Sequence, residues 1–350
     1  MNERRNMVAH SFWYFLVVLG FGCLVESTTV GIQLDEAGKV CGIFEAASLN
    51  SAAIRQGDFL LRRRESFDTV NRYDGVNEHG VVRFGDVWQR VVFDHDAKEY
   101  CVLTIRESIE TNLANVETPA GPERKTVVRS AVCIDADGVL LSRLFPGGSK
   151  TRHLAAKPTD KLFAEKAIGF PDYRSFGLFF GGVPGSFQRM MQMTNRLKTG
   201  SEFHESKELG DDKLMITMRS EPNSESWIVE EYTFDTARLV PILVNKFLQN
   251  KAQIEDQRPS FIGKQSFEWK ELNGIQLPKS GNADTPYREM INGHYQSAHR
   301  FTDVEFHWFS VNERIDPKWF DGSQFADFAS FKELLDAKAC GAVDLLETDK

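Results

Sequence analysis

Apolar side chains recur along much of this chain at every second position, a spacing that predicts strands. Phe59-Leu60-Leu61 opens one that runs into Arg62-Arg63-Arg64. Val81 to Phe93 predicts a longer one whose alternation slips at Gly85-Asp86. Val82 and Phe84 share one parity and Val87, Val91 and Phe93 the other, so a bulge is expected at Gly85. Tyr100 to Arg106 is apolar on both parities. Val127–Ile134 and Val139–Phe145 flank the turn sequence Asp135-Ala136-Asp137-Gly138. Further strands are expected over 202–209, 214–219, 227–234, 240–248, 266–272, 275–278, 287–300 and 302–311. Asn273-Gly274 is the strongest turn signal, because both central residues of that turn favour positive φ. In the last strand Val304, Phe306 and Trp308 alternate with Glu305 and His307, which leaves one face wet.

A helical period replaces the strand period in a few places. Ile43 to Gln56 predicts a short helix with Phe44, Ala47 and Ile54 inside and Gly57 as its stop. Thr159 can cap a second, and Ser186 a third in which Phe187, Met190, Met191, Thr194 and Leu197 share a face before Gly200. Between these two, Phe176 to Pro184 is apolar and glycine-rich without a period, and is expected to be a buried loop or lid. Ser330 to Glu333 forms a capping box for a helix in the tail. The expected organisation is one curved antiparallel sheet domain over 28–325 with a helical insert at about 159–199, then a helical tail over 326–350.

The N-terminus carries a different pattern. Asn2-Glu3-Arg4-Arg5 is followed by an uncharged run from Phe12 to Val25, and Val25-Glu26-Ser27 suits cleavage before Thr28. That layout predicts a secretory signal peptide over 1–27, since a membrane span needs about 20 apolar residues. A periplasmic or extracellular location follows. Cys23 offers a lipoprotein alternative, with Gly22 in favour and the bulky Phe21 against.

Removing 27 of 350 residues leaves 323 and keeps the net charge at −8, because Arg4 and Arg5 balance Glu3 and Glu26. Nothing in that balance suits nucleic acid, so no such partner is expected. Arg62-Arg63-Arg64 is the one basic cluster. On a strand its side chains split between two faces, and a solvated edge is the expected use. Four cysteines survive cleavage: Cys41, Cys101, Cys133 and Cys340. They allow two disulfides in three connectivities. Cys101 and Cys133 both sit in strand-like runs and could face each other, as a disulfide or as two buried thiols.

Catalytic and metal-binding patterns were sought and are missing. Neither Gly-x-Ser-x-Gly nor His-Glu-x-x-His occurs, and no cofactor is implied. Asp94-His95-Asp96 could place two carboxylates around an imidazole, but a solvated turn explains it better. Pairing within a hairpin could bring His299 near His307, without a third ligand in view. Glu230 and Glu231 point to opposite faces of a strand. Trp88, Trp227, Trp269 and Trp308 could form a sugar platform, although core packing is the simpler use of each.

Phe234-Asp235-Thr236-Ala237-Arg238-Leu239-Val240-Pro241, Trp269 to Pro278, and Phe306 through Asn312 to Asp316 and Phe320 resemble successive hairpins and the exit strand of the periplasmic lipoprotein-carrier superfamily. That superfamily includes LolA-like, LolB-like and RseB N-terminal-domain-like proteins. The resemblance spans roughly 43–320 and departs from simple carriers in length and in the 176–184 segment. It implies an incomplete, strongly bent antiparallel half-barrel with helices over its concave face and an apolar hollow between. The function implied is non-enzymatic binding of a lipid or of an acylated protein. The alternatives are an envelope sensor or scaffold with a membrane-associated protein partner, an enzyme on envelope polymers, and a secreted domain without ligand. The residues expected in the hollow are Phe84, Leu103, Met190, Met191, Val229, Phe306 and Trp308, with Phe179 and Phe180 on the lid.

Overall fold

The first strand of the chain pairs with the last, and this long-range contact organises the sheet. In the computed structural model β1 (Gln56–Phe67) runs antiparallel to β13 (His294–Val311), from Gly57 opposite Val311 to Phe67 opposite Arg300. The structure describes residues 29–67, 81–111, 124–137, 139–145, 150–154, 172–178, 180, 190–195, 203–252, 259–291 and 294–321. From β1 one meander steps outward through β2 (Val81–Asp94), β3 (Glu99–Thr111), β4 (Arg124–Ile134), β5 (Val139–Phe145) and β6 (Lys150–Leu154). From β13 a second steps the other way through β12 (Ile275–Ile291), β11 (Ser260–Leu272), β10 (Val240–Asn250), β9 (Ser226–Asp235), β8 (Lys213–Asn223) and β7 (Phe203–Gly210). Among the described residues the result is one open, curved, antiparallel half-barrel of thirteen strands with β6 and β7 at opposite margins.

Most strands arise where the alternation places them. Asn273 and Gly274 have φ of 53° and 76°, as the hairpin between β11 and β12 requires. The β9–β10 hairpin is closed by Asp235, whose carboxylate accepts the backbone N–H groups of Ala237 and Arg238 at 3.0 Å each. The ladder between β2 and β3 slips between Phe84 and Val87, the bulge that the parity change announces. Elsewhere the expected bounds shift. Residues 275–278 and 287–300 do not form separate strands, because β12 runs unbroken through Pro278 and Pro286 to Ile291. The chain reverses between Ile291 and His294, which are paired. The intervening Asn292-Gly293 is a turn signal that the expected strand over 287–300 ran through, and it lies outside the described residues. Strand β6 and residues 260–265 of β11 were not expected at all.

The N-terminal helix is longer than its apolar period suggests and ends sooner. α1 spans Thr29–Ala52, and Gln56 and Gly57 already belong to β1. Gly57 is no helix stop: a Cβ there would lie 2.7 Å from the Phe93 ring and 3.0 Å from Trp308. Asn50 ties the end of α1 to β12, donating to Gln276 O at 2.8 Å and accepting from its N–H at 2.9 Å. Asn312 binds the α1–β1 junction through the N–H groups of Arg55 and Gln56 and the carbonyl of Ala53. The helix expected after Ser186 is represented by α2, residues 190–195, and that after Thr159 lies outside the described residues, as does the tail helix at Ser330. A short α3, Lys318–Asp321, follows β13.

Both faces of the sheet bury side chains. On the concave face Phe44 of α1 is fully buried and meets Phe234 and Tyr232 edge-on, at centroid distances of 4.9 and 5.7 Å. The convex face carries a second core of Leu60, Trp88, Val92, Leu103, Ile105 and the two cysteines, capped by Trp319 and Phe320. Arg90 lies between Phe309 and Trp319 (4.5 and 4.6 Å) and is paired with Asp58 at 2.7 Å. The three arginines split as a strand requires, but on an inner strand rather than an edge. Arg62 and Arg64 pair with Asp86, whereas Arg63 pairs with Glu65.

Cys101 and Cys133 stand directly opposite each other on β3 and β4, joined in a disulfide. Cys41 sits half-buried on α1, and Cys340 is outside the described residues. The bridge closes a loop with a sequence separation of 32. Replacing both cysteines with alanine should therefore lower the unfolding free energy by about 3 kcal/mol in urea titrations. Equal stability of the two proteins under non-reducing conditions would refute this.

Candidate functional site

The connection from β6 to β7 must travel from one margin of the sheet to the other. At about 4.8 Å per strand that is roughly 58 Å measured along the sheet. The part of it that the structure describes, residues 172–178, lies across the concave face as a strap. It opens with a 3₁₀ turn, Tyr173–Ser175, whose N-cap Asp172 accepts the N–H of Arg174 at 3.2 Å. The backbone then turns on itself, with Phe176 N–H donating to Tyr173 O and Leu178 N–H to Ser175 O, each at 3.1 Å. Gly177 takes φ of +96°, and a Cβ there would come within 2.6 Å of Pro241 and 2.7 Å of Trp269. Glycine is required at that point both by conformation and by space.

Beneath the strap is an aromatic slot. Phe59 of β1 and Phe306 and Trp308 of β13 point into it, as do Phe267 and Trp269 of β11. Tyr173 packs edge-on against Phe59 and Phe306, at 5.6 and 5.1 Å. Phe176 meets Phe306 at 4.9 Å and Phe267 at 5.0 Å, with Phe180 beside it. The floor is Gly281, where a Cβ would lie 2.5 Å from the Phe176 ring. Both indole N–H groups are satisfied by carbonyls, Trp269 by Pro241 at 2.7 Å and Trp308 by Pro278 at 2.9 Å. At one end the slot turns polar. The buried carboxylate of Glu65 accepts Arg300 at 2.7 Å and lies 3.3 Å from Arg63.

The leading end of the strap meets a small titratable cluster. His95 begins the β2–β3 turn, its N–H donating to Arg55 O at 2.8 Å. Its Nδ1 lies 2.8 Å from the Tyr100 hydroxyl, and its ring lies 4.6 Å from Phe93. Burial, then the nearby Arg174 guanidinium, push the imidazole from its ordinary 6.5 down to about 3, against the opposing pull of Asp172 and Asp94. Burial acts to raise the Asp172 carboxyl, but the bidentate Arg174 (2.9 and 2.7 Å) prevails and holds it below the usual range. Burial also pushes the Tyr173 hydroxyl up. The expected solvated Asp94-His95-Asp96 turn is therefore a turn without a solvated imidazole. Asp94 accepts Gln56 and Ala97, while Asp96 faces Arg55.

The residues expected in the hollow separate. Phe306, Trp308 and Met190 belong to the concave core, and Phe180 packs against it. Leu103 does not: it lies on the convex face in the row Leu60, Arg90, Ala131, because β3 is buried on both sides and apolarity there does not reveal the face. Val229 also faces away, being of opposite parity to Tyr232 and Phe234 on β9. Met191 is exposed, since the buried face of α2 is Met190, Met193 and Thr194. Phe84 lies on β2 opposite Ser108, its side chain outside the described residues, and Phe179 is outside them altogether. The tryptophans form no platform: Trp88 is convex, and Trp269 and Trp308 concave. His299 and His307 share β13, about 26 Å apart at ~3.3 Å per residue, and His299 is paired with Asp284 instead. Tyr173 and Gly281 were missed, and His95 was noticed only as part of a solvated turn. Contacts made with the crossing segment single out the first two.

No family model matches the sequence, and no curated protein matches it. The chain is similar in structure to a DUF1329 family protein from Desulfovibrio piger, with TM-score 0.32 and 10% identity over 80% of this chain and 95% of that one. It is also similar to a porin-like protein from Bacteroides uniformis, with TM-score 0.15 and 9% identity over 73% and 98%. Likeness at that level carries no inference about function.

The contact between Phe176 and Gly281 predicts a specific loss. Gly281→Val forces the Phe176 ring out of the slot and should cost about 1–3 kcal/mol in urea denaturation. Gly263→Ala, whose Cβ would meet nothing closer than 3.5 Å, is the control and should cost less than about 1 kcal/mol.

Proposed function

We propose that this chain is an exported, non-enzymatic binding protein that takes an acyl chain, from a lipid or an acylated protein, into the concave slot in place of the strap. One observation carries the reading. The slot is filled not by sheet or helix but by Tyr173, Phe176 and Leu178 of a crossing segment, laid over a glycine floor. A flexible apolar chain fits the same wall. A sixteen-carbon chain leaving water gains roughly 12 kcal/mol gross, at ~0.8 kcal/mol per methylene, before ordering costs. Arg63 and Arg300, held through Glu65 at the slot's end, give an anionic head group cationic neighbours.

Binding of this kind needs no catalytic group. The basic start and the apolar Phe12–Val25 run support export, and a membrane-associated protein would then donate or accept the cargo. The resemblance of residues 234–241, 269–278 and 306–320 to the hairpins and exit strand of the lipoprotein-carrier superfamily supports the same reading. Displacement of a fluorescent fatty acid from the mature protein tests it: saturable binding is expected. Phe176→Ala should tighten the apparent Kd about tenfold, because the strap no longer competes. Absence of saturable uptake by both proteins would reject the proposal.

A further inference from the structure

The strap ends on a wall that can sense protons. Rings connect the two: His95 touches Phe93 at 4.6 Å, Phe93 meets Phe59 at 6.3 Å, and Phe59 meets Tyr173 at 5.6 Å. Every charged or titratable group around the imidazole is accounted for among the described residues. From the strap come Asp172 and Arg174, bonded to each other. From its own turn come Asp94, engaged by Gln56 and Ala97, and Asp96, facing Arg55. From β3 comes the Tyr100 hydroxyl. The hydrogen-bond partner of the ring among the described residues is the Tyr100 hydroxyl. The guanidinium of Arg174 on the strap disfavours a proton on the ring, while Asp172 and Asp94 favour it.

We propose that the Asp172–Leu178 strap is an acid-released latch, seated while His95 is neutral and driven off the concave face when the imidazole gains a proton. This goes beyond the acyl-chain reading and does not need it. The direction follows from linkage. His95 binds protons more weakly with the strap closed than when opened to water, so closure is fully favoured above pH 6.5 and weakens as pH falls toward about 3. Asp172 works in the same direction only below the ordinary carboxylate range, and Tyr173 weakens closure only at alkaline pH. Between pH 7 and 4.5 the effect belongs to His95.

Hydrogen exchange by mass spectrometry on the ligand-free mature chain tests this. The Phe176 and Leu178 amides report strap opening, and the β9 and β10 amides report the sheet. After correction for intrinsic rates, strap protection should fall on the order of a hundred-fold from pH 7 to pH 4.5 while β9 and β10 hold. In His95→Gln, strap protection should be flat over that range. No fall in the wild type, an equal fall in β9 and β10, or the same fall in His95→Gln overturns the latch. Should His95→Gln not fold, the NMR titration of the wild-type imidazole decides: no midpoint near 6.5 is expected, and one would overturn it. No lipid is present in either experiment, so failure of the latch and failure of acyl binding are separate results.

Discussion

The pairing of β1 with β13 is the contact on which the rest depends. Closing a loop of about 240 residues costs roughly 5 kcal/mol of chain entropy, far less than a shorter loop's stiffness would suggest. In return it fuses two meanders, each built of local hairpins, into one sheet. Without it each meander would expose a long edge beside Phe59 or Trp308, with ladder groups unpaired. With it, β6 and β7 become the margins and the chain between them has to cross. A strap over the concave face is thus a consequence of topology before any side chain of the strap is considered.

Curvature then gives the two faces different partners. The concave side receives α1 and the strap, and the convex side of β1 to β4 receives Trp319 and Phe320 immediately after β13. Because the chain exits β13 next to β1, its first apolar residues land on the region of the sheet that already carries the disulfide. Arg90, held by Asp58 and flanked by rings, admits a charge into that second core at little cost. The sheet is consequently covered on both faces over β1 to β4 and half-solvated on the second meander, where Glu231, Asn245 and Lys264 occupy the convex side.

This two-sided burial explains what was legible in the sequence. Where one face meets water, as in β13, alternation identified both the strand and its inner residues, Phe306 and Trp308 among them. Where both faces are buried the period vanishes, and Leu103 could be recognised as core but not placed on a side. Val229 misled for another reason, since a residue buried on the convex face is as apolar as a concave one. On α2 the adjacent methionines 190 and 191 look equivalent in composition, but a helix of 3.6 residues per turn pairs 190 with 193 and 194. The expected strands over 275–278 and 287–300 left out the segment between them, which β12 carries through Pro278 and Pro286 with a register shift opposite Pro278. Tyr173 and Gly281 have no local signature, because each owes its environment to a segment distant in sequence.

Is the strap core or lid? Its three apolar side chains, Tyr173, Phe176 and Leu178, gain about 7 kcal/mol on burial. Fixing the seven backbone residues 172–178 costs at least about 7 kcal/mol, at ~1 kcal/mol each. The two nearly cancel, and two short internal hydrogen bonds add only about 1 kcal/mol apiece. Strands of the sheet do not face this balance, since each gains a ladder on both sides and a buried face. The strap therefore sits at the low end of the molecule's stability range, where a bias of a few kcal/mol decides its position. Phe176 over Gly281 supplies such a bias in one direction. In the two readings proposed above, a proton on His95 or a competing apolar chain would supply it in the other, without movement of the sheet.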